Sequence, residues 1–281
     1  MGDSYSAGIG GPQPAVSNAG CQQDHADAFA TLALTDLAVT LPRQVFDQRL
    51  VACGGATTAD VRSSQLAAAR GVDIASLTIG GNDLGFIQVV TRCISSGCAS
   101  YDRPGDDLPG LTADPGRNDW ETLTDRLTAT FVAIRQTMAP DGWLFALSYP
   151  IPAPEQLGAT CPSGAAPLKP RDIVLADAMA LRLGDAINDA VDRADKTLAP
   201  SRPGHIVFVD WRLASGAPVR VTRTVDSVDH SVAFNSDGLC TPDPMINGIA
   251  AADLGDSFHP TARGAGIAGR DLADAITHIV G

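Results

Sequence analysis

The chain has 281 residues, 44% of them hydrophobic, enough for a substantial core and close to the upper size of one domain, so we expect a single domain over residues 1–281. Twenty Lys and Arg against 32 Asp and Glu give a formal net charge of −12, which repels phosphate backbones and anionic membrane surfaces and excludes nucleic acid as a partner. The longest apolar runs, 74–79 and 143–147, fall far short of the roughly 20 residues of a membrane-spanning helix, so a soluble protein with no stable membrane insertion is expected.

In chain order, residues 24–41 are Ala/Leu-rich and read as a helix, and 49–53 form a short apolar run that suits a buried strand. A helix over 58–70 follows a Thr-Thr-Ala-Asp start, and a second strand is expected over 73–79. Leu123, Leu127, Phe131 and Ile134 recur at helical spacing within 119–139, which leads into a third strand at 142–148. The clearest helix is 171–198, where Ala176, Met179, Ala180, Leu183, Ile187, Ala190 and Val191 share one face as a core stripe. A fourth strand at 205–211 and a last helix at 261–279 complete the series. Strands alternating with helices predict an α/β fold with a largely parallel sheet. The stretches 101–117, 151–170 and 213–253 are rich in Pro and Gly, carry no strong period, and are expected to be loops that roof the site.

Six cysteines, Cys21, Cys53, Cys93, Cys98, Cys161 and Cys240, have neither CxxC pairs nor His at zinc spacing, so disulfides are favoured over metal. Sequential pairing, Cys21 with Cys53, Cys93 with Cys98 and Cys161 with Cys240, is expected, and with it an oxidising compartment; the alternative is six free thiols in a cytosolic enzyme. The chain opens Met-Gly-Asp-Ser, without a basic segment and apolar run, so no signal peptide is expected within it. Asp102, Asp106 and Asp107 read as a solvated acidic loop, not a calcium site, and no metal or organic cofactor is implied.

Chemistry points to three places. Ser4 lies in Gly-Asp-Ser-Tyr-Ser-Ala-Gly, where flanking glycines permit a crowded turn that a substrate can reach. Asp256-Ser257-Phe258-His259-Pro260 sets a carboxylate three residues before an imidazole, a spacing that lets Asp256 hold one ring nitrogen while the other faces a nucleophile. The other histidines, His25, His205, His230 and His278, read as surface or structural. Two Gly-rich strand ends, Gly54-Gly55-Ala56-Thr57-Thr58 and Gly80-Gly81-Asn82-Asp83, reach the carboxyl edge of the sheet, where ligands bind in open α/β folds. The N–H groups of Ser4 and Gly55 and the Asn82 amide would together make an oxyanion hole.

Taken in order, these four blocks resemble the SGNH or GDSL hydrolases over nearly the whole chain. The resemblance implies a three-layer, flavodoxin-like fold with Ser4 as nucleophile, Ser4, Gly55 and Asn82 as oxyanion donors, and His259 as base with Asp256 behind it. Only the family register separates Gly55 from Gly54, which then serves to turn the chain. Ala-Thr-Thr-Ala-Asp after Gly55, together with the cysteines, is most similar to the secreted actinomycete lipase and esterase branch, where some members use a backbone carbonyl in place of the acid. The implied activity is cleavage of small-molecule or lipid carboxylic esters through an acyl-enzyme, by a secreted monomer. The alternatives are a non-catalytic carbohydrate- or lipid-binding module and a cytosolic thioesterase. Tyr5, Phe86 and Phe258 stand beside the proposed catalytic residues as candidates for an acyl pocket.

In this family a hydrophobic strand runs directly into Gly-Asp-Ser, whereas only Met1 precedes Gly2 here. In a 2-1-3-4-5 sheet that strand lies between those ending near Cys53 and Ile79. Either a cleft, with orphaned backbone groups costing roughly 1–3 kcal/mol each, or a substitute such as the alternating segment 219–225 is expected there.

Overall fold

The computed structural model describes residues 1–12, 16–18, 20–86, 89, 119–152, 161–163, 166–168, 170–199, 205–211, 238–239, 244–248 and 256–281. Seven strands lie among them: β1 (Val16–Asn18), β2 (Cys21–Gln23), β3 (Ile74–Leu77), β4 (Trp143–Leu147), β5 (Cys161–Ser163), β6 (Ala166–Leu168) and β7 (Ile206–Val209). The helices are α1 (Phe29–Thr40), the single turn α2 (Thr58–Asp60), α3 (Asp119–Thr137), α4 (Pro170–Leu198) and α5 (Ala262–Val280).

β3, β4 and β7 form a parallel sheet in that order, with Ile74 opposite Trp143 and Leu144 opposite Ile206. Both faces of β4 and β7 are buried, as a parallel sheet between helices requires. Leu144, Ala146, Ile206 and Phe208 pack with α3 and α4, through Leu127, Phe131, Leu183 and Ile187. The alternate set, Phe145, Leu147, Val207 and Val209, packs with α1 and α5 through Phe29, Leu37, Leu272 and Ile276. The two-residue alternation of the strands thus divides one apolar sequence between two cores, giving the expected three layers. Each fully buried Leu, Ile or Phe contributes about 1.5–3 kcal/mol relative to exposure.

Four of the five expected helices run unbroken, within a few residues of the sequence reading except that α1 begins at Phe29 rather than at 24. The fifth, 58–70, begins as a helical turn but passes through a π segment, Val61–Gln65, into a 3-10 turn, Leu66–Ala69. There the buried Gln65 amide pairs with the backbone of Gly2, accepting from its N–H at 2.7 Å and donating to its carbonyl at 2.9 Å. Two short hairpins, β1–β2 and β5–β6, were not legible from the sequence, which placed the second within a loop.

Residues 49–53 do not form the expected strand. A strand exists through its neighbour, and between this segment and β3 the described residues supply only Met1–Asp3. The N–H groups of Met1 and Asp3 donate to Ser76 and Thr78 at 3.1 Å each, running parallel to β3, and Cys53 donates to Gly2 at 3.0 Å. A cleft of about 630 Å³ beside Met1 is bordered by Leu37, Leu50, Val51, Ile74 and Ile276. The substitute strand proposed at 219–225 lies outside the described residues, as do the acidic loop at 102–107, His230 and the Cys93–Cys98 pair. Cys21 and Cys53 are joined by a disulfide. Cys240 and the side chain of Cys161 are likewise outside the described part.

Candidate active site

Ser4 begins a tight turn that leaves the β3 edge. Gly2 adopts φ +114°, and a Cβ there would stand 2.4 Å from the Thr78 carbonyl oxygen, so only glycine lets the chain pass this close to the strand. The turn is closed by Ala7 N–H to the Asp3 carbonyl (2.9 Å) and Ile9 N–H to the Ser4 carbonyl (3.1 Å). Thr78 locks it from beneath: its N–H donates to Ser6 Oγ (2.8 Å), its Oγ1 accepts from Ser6 N–H (3.1 Å) and donates to Asp3 Oδ1 (2.7 Å).

His259 reaches this turn from the far end of the chain, on the loop before α5, whose first turn is capped by Thr261. Its Nε2 lies 2.7 Å from Ser4 Oγ. Phe258 holds φ 65°, the single non-glycine residue in the left-handed region among the described residues, and such strain persists only where neighbours over-determine it. Here they do. Asn247 accepts from Phe258 N–H (3.0 Å) and donates its own N–H to the His259 carbonyl (2.8 Å), while the Tyr5 hydroxyl donates to the Phe258 carbonyl.

Burial lowers the His259 pKa to about 4, opposed first by the backbone of Ser257 and then by that of Asp256. The ring is therefore neutral at neutral pH, the form a general base needs. Its Nδ1 is buried without a hydrogen bond of ordinary geometry, so the Asp256 carboxylate does not hold it as the sequence reading expected. The reason is local: His259 N–H closes a turn onto the Asp256 carbonyl at 3.2 Å, and this turn brings backbone, not carboxylate, to the ring.

Around Ser4 the donors differ in what they already do. Gly54 N–H is consumed by the Gln22 carbonyl at 3.0 Å, whereas among the described residues the N–H groups of Gly55 and Ser4 have no hydrogen-bond partner. Asn82 gives one amide hydrogen to the Ala56 carbonyl (3.0 Å) and keeps the other. Asp83, whose carboxyl is pushed up by burial, accepts from Thr58 N–H (2.9 Å) and Oγ1 (2.6 Å), tying the Gly54-Gly55 turn to the Gly80-Gly81 turn. Ser4, Asn82 and His259 line one cleft, whose apolar walls include Phe86, Phe258, Pro150, Pro152 and Leu183; Gly55 is not among its lining residues.

Asn247, Thr78 and Tyr149 also build this site and were missed in the sequence. Tyr149 alone carried a signal, standing just past an apolar run at the carboxyl edge of the sheet. His205 is structural, stacked on Trp143 at 4.1 Å beside the buried Arg135. Among the described residues no cluster of His, Cys, Asp and Glu could hold a metal ion, and no helix is long and apolar enough to cross a membrane.

No protein-family profile matches the chain. It is similar to Lipase 1 of Streptomyces coelicolor, 29% identical over 267 residues that cover 94% of this chain and 80% of that protein. In structure it resembles the extracellular lipase of Streptomyces rimosus, with a TM-score of 0.67 at 22% identity, covering 98% of this chain and 96% of that one. It also resembles phospholipase A1 of Streptomyces albidoflavus, with a TM-score of 0.61 at 23% identity over 98% and 96% of the two chains. The structural likenesses establish the fold and the sequence likeness extends along nearly all of the chain; with the four motif blocks in order, they support an SGNH/GDSL hydrolase of the actinomycete type.

Proposed function

We propose that this protein, acting as one 1–281 domain, hydrolyses carboxylic esters of fatty acids through an acyl-enzyme on Ser4. The contact of His259 Nε2 with Ser4 Oγ at 2.7 Å, in an apolar cleft that Asn82 also lines, carries this reading. His259 takes the Ser4 proton as Oγ bonds to the ester carbonyl carbon, and the oxyanion rests on Ser4 N–H, Gly55 N–H and the Asn82 amide. Collapse expels the alcohol, protonated by His259. Water, deprotonated by the same ring, then releases the acid and restores Ser4. A binding module without chemistry has no use for a serine–imidazole pair at this distance.

Labelling the purified protein with a fluorophosphonate tests the assignment. One adduct on the Ser4 peptide is expected, and folded protein that takes none would remove the hydrolase reading in favour of a binding module. A secreted monomer acting on lipid or small-molecule esters is the corresponding physiological reading. The Cys21–Cys53 disulfide supports an oxidising compartment, as does likeness to an extracellular lipase.

Backbone support of His259 makes a sharp prediction. Asp256→Asn is expected to keep kcat within about threefold, whereas an acid that orients a triad imidazole costs about 10⁴-fold when made an amide. A loss of that size would return Asp256 to the mechanism.

A further inference from the structure

We propose that Tyr149 is a positioning residue whose hydroxyl sets the nucleophile turn and the Asn82 turn at a fixed distance from each other. This rests on the ester-hydrolase reading and adds to it a residue outside the four motif blocks.

Tyr149 follows β4 and is buried, in the wall of the cleft. Its oxygen accepts from Gly81 N–H at 3.2 Å and donates to the Asp3 carboxylate. Gly81 immediately precedes Asn82, and Asp3 immediately precedes Ser4, so a single hydroxyl joins the residue before the oxyanion donor to the residue before the nucleophile. The ring is held as well as the oxygen. A Cβ on Gly81 would lie 3.3 Å from the phenol Cζ, so the Gly81 backbone rests on the ring. The Tyr5 ring packs against that of Tyr149 edge to face, with centroids 5.0 Å apart, and Tyr5 continues to the Phe258 carbonyl beside His259. With its hydrogen donated to Asp3 and its oxygen engaged by Gly81, the hydroxyl holds a fixed orientation, and its effect on catalysis passes through the groups it holds.

Asp3 supplies a readout. Its carboxylate also accepts from Thr78 Oγ1 (2.7 Å) and Tyr5 N–H (3.2 Å). Asp83 is the charged group that acts on it, Tyr5 and Tyr149 are its titratable neighbours, and the Met1 amine, whose pKa burial lowers to about 5, interacts with its charge. Burial raises the Asp3 pKa to about 6, opposed first by the Tyr149 hydrogen bond and then by Thr78. Once protonated, Asp3 must place a hydrogen among groups that all donate to it, and the nucleophile turn loosens. The acid limb of kcat/KM should therefore fall in two steps, one near pH 6 from Asp3 and one near pH 4 from His259. Removing the phenol hydroxyl raises the Asp3 pKa further, which moves the first step to higher pH and leaves the second in place.

The test compares wild type, Tyr149→Phe, Asp3→Asn and the double variant in p-nitrophenyl ester hydrolysis from pH 4 to 9. Circular dichroism fixes an assay temperature at which each is folded. Tyr149→Phe is expected to lose about tenfold to a hundredfold in kcat, the scale of a sub-ångström to ångström misplacement, with KM within about twofold. Its first acid step should move up in pH, that step should vanish in Asp3→Asn, and the double variant should be no slower than the slower single one. Wild-type kcat and pH profile in Tyr149→Phe, or losses that multiply in the double variant, would overturn the positioning role. Should Tyr149→Phe not fold, Asp3→Asn alone decides: an unchanged first step and full kcat overturn the proposal. Wild-type protein that neither turns over ester nor takes a fluorophosphonate overturns the hydrolase reading, and the positioning role with it.

Discussion

His259→Ala is expected to lower kcat/KM for a p-nitrophenyl ester by about 10⁴- to 10⁶-fold, and Ser4→Ala by a similar factor. Both act on one proton transfer. Without the imidazole, Ser4 Oγ must lose its proton to water, and without the hydroxyl the neutral imidazole has nothing to activate. The Ser4→Ala/His259→Ala double variant should therefore be about as slow as either single one, since groups that act as a unit are not additive. The residual rate reports substrate binding and oxyanion donors alone. Because burial holds His259 neutral down to about pH 4, protonation of the base should not limit the wild type at neutral pH. A His259→Ala enzyme within tenfold of wild type would mean that Ser4 is activated by some other group.

Much of this was readable before the fold was known, and the division has a physical basis. Four helices and the three central strands were legible because burial on a regular element writes its period into the chain, as in the Leu123, Leu127, Phe131 and Ile134 row. Ser4, Asn82 and His259 were legible because short blocks carry their own turns. What was not legible depended on how a turn closes or on neighbours distant in sequence. Residues 49–53 look like a strand but have no ladder to join. Asp256 stands at the right spacing for an orienting carboxylate, yet the turn that sets Phe258 at φ 65° brings the backbone to the ring instead. Asn247 and Thr78 act only through partners contributed by other elements, Phe258 and His259 for one and Ser6 and Asp3 for the other. No local pattern marks such residues. The preference for Gly55 over Gly54, which rested on family register, gains a structural reason from the Gly54–Gln22 hydrogen bond.

Asn82→Ala is expected to lower kcat by about a hundredfold to a thousandfold with little change in KM, the signature of a donor used mainly in the transition state. The Asn82 amide already spends one hydrogen on the Ala56 carbonyl, which orients it without consuming the second. Truncation thus removes the proposed oxyanion donor and also frees a carbonyl next to Gly55. Asn82→Asp separates the two effects. It keeps the size of the side chain but sets a negative charge against the developing oxyanion, so its kcat should fall below that of Asn82→Ala. Thermal unfolding of both variants accounts for any loosening of the Gly54-Gly55 turn. If Asn82→Asp were the faster of the two, the side chain would be acting through its contact with Ala56, and the oxyanion would rest on the backbone N–H groups of Ser4 and Gly55 alone.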